Sequence, residues 1–142
     1  MNFLNADLIA AGLSPFQPES AAFQAGRIML QEMARLTAER ASFTFETTLS
    51  GRSYLHMIRK WQQGGYHVEL VFLKLRSVTI ALRRVKSRVL QGGHSIPAEV
   101  VRRRYRAGWS NFENLYRPLV NEWSLYDNSG TAPELIEQGG NS

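Results

Sequence analysis

The sequence contains no cysteine. Disulfides, thiolate metal sites and cysteine nucleophiles are therefore excluded. No apolar run approaches the roughly 20 residues needed to span a bilayer. The opening residues, Met1-Asn2-Phe3-Leu4-Asn5-Ala6-Asp7, lack the basic start and apolar core of a signal peptide. A cytoplasmic protein without membrane contact is expected. Lysine is scarce: only Lys60, Lys74 and Lys86 stand among the 17 basic residues, and none of them follows a glycine. A P-loop needs Gly, four residues, then Gly-Lys-Ser or Gly-Lys-Thr, so that bare backbone N–H groups cradle the phosphates while the lysine reaches them. No stretch of this chain can be that loop. His56, His67 and His94 lie too far apart for metal-ligand spacing. A Gly-x-Ser-x-Gly elbow is also missing, which leaves hydrolase chemistry without support.

What is present fits one compact domain over residues 1–142. The chain is 44% apolar and 11% aromatic, a globular composition at a length that suits a single core. Its net charge of +5 rests on arginine. The guanidinium fork matches phosphate oxygens two at a time, so phosphorylated ligands or nucleic acid are the partners that charge suggests. Solvated helix faces explain the composition equally well.

Strands and helices alternate along the chain. Asn2 to Asn5 reads as a strand stopping at Asp7, and Pro15 and Pro18 punctuate a loop. Helical spacing of Ala22, Ala25, Met29, Met33 and Leu36 predicts a helix within 19–40. Phe43 to Phe45 is a short strand. Gly51 to Gln63 is a helix burying Tyr54, Leu55, Ile58 and Trp61, and Gly64-Gly65 stops it. His67 to Leu75 is a strand apolar on both faces. Helices follow over 78–90 and 97–116, the second with Val101, Tyr105, Trp109, Phe112 and Tyr116 along one side. Trp123 to Tyr126 is the last strand, and Ala132 onward reads as a short helix or tail. This order predicts an α/β domain on a parallel sheet covered by helices on both faces.

Ligands of such sheets sit beyond the carboxyl ends of the strands. That places Asp7, Glu46-Thr47-Thr48, the residues after Leu75, and Asp127-Asn128-Ser129 along one edge. Asp7 can act as a general base or as a turn aspartate. Glu46 can orient a magnesium-bound water, and Thr47, Thr48 and Arg52 stand beside it at a helix start whose N–H groups are free. The competing reading is a capping arrangement. Arg84 and Arg88, four apart, project from one helix face. With Gly92-Gly93 as a hinge and Arg102, Arg103, Arg104 and Arg106 beyond it, residues 76–117 read as an arginine-rich lid, or else as two solvated helix faces. His94 is a candidate lid contact, while His56 and His67 read as structural. Aromatics do not alternate with the arginines on any strand, which speaks against nucleic acid.

In order, these motifs resemble the zeta toxin family of P-loop kinases, in its branch of small predicted ATPases. The matching pieces are Asn5-Ala6-Asp7-Leu8-Ile9-Ala10-Ala11-Gly12-Leu13-Ser14-Pro15 and Phe45-Glu46-Thr47-Thr48-Leu49-Ser50-Gly51-Arg52. Gly92-Gly93-His94 with Pro97, Arg102-Arg103-Arg104-Tyr105, and Tyr126-Asp127-Asn128-Ser129-Gly130 complete the set. The resemblance implies a three-layer P-loop-kinase-like parallel sheet lacking its first strand, P-loop and following helix. It implies ATP and Mg²⁺ as cofactors and phosphoryl transfer to a hydroxyl, on a nucleotide sugar in well-characterised members. Asp7 would be the base, with Glu46 at the metal and Glu46, Thr47, Thr48 and Arg52 at the substrate. Arg84 and Arg88 would meet the migrating phosphate, and Arg103, Asp127, Asn128 and Ser129 the nucleotide. The family's first strand lies mid-sheet, between those matching Phe43–Phe45 and His67–Leu75, so its loss is expected to break the sheet or force the flanking strands to pair directly, and to leave apolar edges exposed. The alternative is a non-catalytic remnant that binds an antitoxin or a copy of itself.

Overall fold

The computed structural model describes residues 2–93 and 95–141; His94, the candidate lid contact, lies outside them. The described residues form a mixed α/β structure with five α-helices and five strands in two small sheets. Two compact units divide the chain, Met1–Thr47 and Thr48–Ser142. The boundary falls within Glu46-Thr47-Thr48.

In the first unit, β1 (Asn2–Leu4) and β2 (Phe43–Phe45) pair in parallel, with Asn2 opposite Phe43 and Leu4 opposite Phe45. The connection holds α1 (Ala6–Leu13), a 3₁₀ turn (Pro18–Ala21) that starts on the expected proline, and α2 (Ala22–Ala38). Ala25, Met29, Met33 and Leu36 are buried as their spacing predicts. Ala10, Ala21 and Ala25 form a small-residue core with Ile9 packed against it, so α1 sits on the start of α2. Helix α1 is a correction: Asp7 does not close the strand. The Asn5 side chain accepts hydrogen bonds from the Asp7 and Leu8 N–H groups, a helix cap that begins α1 directly after β1. Asp7 becomes the second residue of the helix, where a carboxylate suits the positive end of the dipole.

In the second unit, β3 (Glu69–Lys74) pairs in parallel with β4 (Glu122–Asp127), and β4 pairs antiparallel with β5 (Glu134–Gly140). The sheet is therefore mixed. Residues after Ala132 are strand, not helix or tail. The turn 128–133 returns the chain beside β4, and backbone pairing decides the conformation of a segment with no apolar face. Helices α3 (Ser53–Gln63), α4 (Val78–Leu90) and α5 (Ala98–Asn111) complete the unit, and one π turn, Phe112–Tyr116, continues α5. The core gathers on Phe112, fully buried, whose ring stacks on Phe72 at 4.7 Å and meets the Trp123 edge at 6.1 Å. Trp109 stacks on the same ring at 5.8 Å.

Coverage of both sheet faces does not hold for β3. Phe72 points into the aromatic stack, while Val71 and Leu73 on the other side are 58% and 51% exposed. The two sheets are also separate. Among the described residues, strand β2 pairs with β1 and β3 with β4, and β2 does not pair with β3.

Candidate functional site

In the first unit, the carboxyl ends of β1 and β2 carry Asn5 and Glu46. The Glu46 N–H donates to the Leu4 carbonyl, extending the parallel pairing by one bond. Asn5 then uses both ends of its amide. Its oxygen caps α1, and its nitrogen donates to Glu46 Oε2 at 2.9 Å. This brings Asp7 and Glu46 to one edge, both exposed, with Asn5 as the link between them. Asn5 was legible only as part of a motif; its N-cap residue type and the Ala-Asp that follows were the signal.

In the second unit, Thr48 to Arg52 is a shaped loop. Leu49 is buried in the left-handed region, φ 59°, a conformation that costs a non-glycine residue about 1–3 kcal/mol. Asn111, buried in α5, offsets that cost by donating to the Leu49 carbonyl at 2.8 Å. The Tyr116 hydroxyl donates to the Gly51 carbonyl at 2.9 Å. Gly108 lets α5 approach closely, since a Cβ there would lie 2.8 Å from the Thr48 carbonyl oxygen. Thr48 and Ser50 share a hydroxyl hydrogen bond of 2.8 Å. Arg52 is exposed at the start of α3 and has no ion-pair partner among the described residues.

The carboxyl ends of β3 and β4 hold a closed network. Arg76 Nε donates to Asp127 Oδ2 at 2.8 Å, and the Arg76 backbone N–H donates to the Ser129 hydroxyl at 2.9 Å. The Ser129 N–H donates to Asp127 Oδ1, and the Asn128 N–H to the Lys74 carbonyl. Ser129 and then Arg76 hold the Asp127 carboxyl down at about 2, below its ordinary 3.8, and the Arg76 guanidinium is raised in turn. Arg76 was anticipated only as one of the residues after Leu75; it is the residue that anchors the loop.

Of the lid candidates, Arg84 reaches the Gly130 carbonyl at 3.3 Å, which ties α4 to the Asp127–Ser129 loop. Arg88 and Arg103 are exposed and carry no hydrogen bond or ion pair from their side chains among the described residues. Gly92-Gly93 forms a helix cap: the Gly93 N–H returns to the Arg88 carbonyl and the Gly92 N–H to that of Val89, with Gly92 at φ 93°. A Cβ on Gly93 would lie 2.8 Å from the Arg88 oxygen, so this cap needs glycine.

A protein of Haemophilus influenzae, described as an uncharacterized protein, is 32% identical to this chain over 102 residues, covering 72% of this chain and 73% of that protein. The chain belongs to that protein's family. The near-equal coverage makes the two close in length. No family model matches the chain, and no solved structure does.

In this family member the donor set can be tested against the implied cofactors. A single strand-end carboxylate suits Mg²⁺, which keeps most of its waters and takes one or two carboxylates from the protein. Glu46 meets that requirement: it is exposed, and its Oε2 is held by the neutral Asn5 amide. The phosphates of ATP do not fit: the chain contains no glycine-rich cradle with a lysine. No helix among the described residues is long and apolar enough to cross a membrane.

Proposed function

We propose that the chain is related to the zeta-toxin-like P-loop kinases, whose chemistry is phosphoryl transfer from ATP to a hydroxyl of a small substrate. The observation that supports this reading is the placing of Asp7 and Glu46 together just beyond the carboxyl ends of β1 and β2, linked by Asn5. Asp7 would take the proton of the acceptor hydroxyl, and Glu46 would hold Mg²⁺ through water while Asn5 fixes its carboxylate. Bound Mg²⁺ would neutralise charge on the transferred group. Thr47, Thr48 and Arg52 would orient the acceptor, Arg84 and Arg88 would meet the phosphate, and Arg103 with Asp127, Asn128 and Ser129 would border the nucleotide. Positioning and charge stabilisation make up most of phosphoryl-transfer catalysis, so the chain alone is expected to be impaired.

The test is calorimetric titration of ATP with Mg²⁺ into this chain and into a fusion carrying a strand–P-loop–helix segment at its N-terminus. No binding by the chain and binding by the fusion is the expected result. Tight binding by the chain itself, or none by the fusion, overturns the reading.

A second reading is a non-catalytic remnant that binds an antitoxin or a second copy. It is favoured by the bare Val71 and Leu73 face. Light scattering across protein concentration distinguishes it: a rising mass supports self-association, and a constant monomer mass removes that version.

A further inference from the structure

At the other end of the β3–β4 pair, the amino ends of the strands bring three donor side chains together. His67 lies two residues before Glu69, in the segment that leads into β3. Glu69 and Glu122 are opposite each other in the parallel register and so share a face. His67 Nε2 lies 2.7 Å from Glu122 Oε2 and 3.8 Å from Glu69 Oε1, and one donor atom from each residue falls within 4.8 Å of the other two. Two donors bound to one ion at about 2.0–2.2 Å lie roughly 3–4 Å apart. The observed spacings straddle that range.

The backbone beneath these side chains is clamped. The Val68 N–H donates to Asn121 Oδ1 at 2.8 Å, the Asn121 and Glu122 N–H groups both donate to the Val68 carbonyl, and Gln62 donates to Asn121 Oδ1 from α3. Glu69 and Glu122 therefore stand on paired strand residues, and His67 enters beside them next to the tied Val68. Like charges directly opposite on neighbouring strands are unfavourable, and here Glu69 and Glu122 are so placed. One imidazole hydrogen-bonded to Glu122 leaves that repulsion only partly answered. A cation between all three answers it.

We propose that His67, Glu69 and Glu122 bind one divalent transition-metal ion of the zinc type. One imidazole and two carboxylates suit such an ion better than Ca²⁺ or Mg²⁺, which prefer all-oxygen shells. Three protein ligands leave a position for water. The site lies about 17 Å from the strands' carboxyl ends, at some 3.3 Å per residue. Its role is to staple the start of β3 to the start of β4, not to take part in the chemistry at the other edge. It does not rest on the kinase reading. Sequence spacing alone conceals it, because Glu122 is far along the chain and His67 has no second histidine near it.

The test uses the full chain, stripped with chelator and titrated with ZnCl₂ by calorimetry, with thermal melting in parallel. One Zn²⁺ per chain and a rise in Tm are expected. Glu122→Gln and His67→Gln should each weaken binding by about tenfold or more and abolish the rise. All three side chains are more than half exposed, so the variants should fold. His56→Gln should bind as the parent does. Absent binding by the parent, binding unchanged in His67→Gln, or an equal response to CaCl₂ would each overturn the proposal.

Discussion

The two pairs of parallel strands end in carboxylates treated in opposite ways. At the end of β3–β4, Asp127 has both oxygens engaged, one by the Ser129 N–H and one by Arg76. At the end of β1–β2, Glu46 is exposed, with one oxygen on the Asn5 amide and no cation paired to it among the described residues. The contrast teaches which acid is free for chemistry. A carboxylate neutralised by its own arginine shapes a loop. One held by a neutral amide keeps its charge.

The largest way to break the contrast lies beneath the closed end. Phe112→Ala removes the ring that carries Phe72, Trp109 and Trp123, and should cost about 3–5 kcal/mol in denaturant unfolding. A loss below about 1 kcal/mol would mean that the aromatic stack does not support the second unit.

A smaller effect is confined to acid. The Asp127 carboxyl is lowered in the folded protein from 3.8 to about 2, so its stabilising contribution is complete above about pH 4. It is lost as pH falls through about 2. Asp127→Asn should therefore lower stability at neutral pH and flatten the stability profile between these limits. If the variant follows the parent through that window, the Arg76–Asp127–Ser129 network is not what closes this end.

Next comes the open end. Asn5→Ala removes the cap of α1 and the Glu46 contact together and should cost about 1 kcal/mol. Asn5→Asp keeps the cap but sets two carboxylates side by side. It should recover only part of that stability. Full recovery would mean that the Glu46 contact is incidental.

How much of this was legible follows the same division between local pattern and distant pairing. Helices α2, α3 and α5 announced themselves by apolar spacing, and β2 and β3 by short apolar runs. Helix α1 was hidden because Asp7 invites reading as a strand end, whereas the cap comes from the residue two before it. Strand β5 was hidden because its seven residues are all exposed and show no alternation. Only the backbone of β4 makes it a strand. Val71 and Leu73 look like core in a one-dimensional pattern, and whether a helix covers them is a question of tertiary packing. Of the site, the strand-end acids were found by rule. Asn111 was not, since an asparagine inside a helix looks like surface until Leu49 adopts its left-handed turn beneath it.

The smallest expected change in stability carries the sharpest functional content. Glu46→Gln preserves shape and can still accept the Asn5 hydrogen bond, and the side chain is exposed, so unfolding should shift by no more than about 0.5 kcal/mol. What it removes is charge. If the open carboxylate is the metal-holding acid, Mg²⁺-dependent ATP binding by the P-loop fusion should fall while its fold is untouched. Asp127→Asn in the same fusion should leave the Mg²⁺ dependence in place, because its charge is already spent on Arg76. Two carboxylates at corresponding strand ends, neutralised one at a time, then separate chemistry from scaffold. Should both variants lose Mg²⁺ dependence equally, or neither lose it, the distinction between an open and a closed end has no functional meaning.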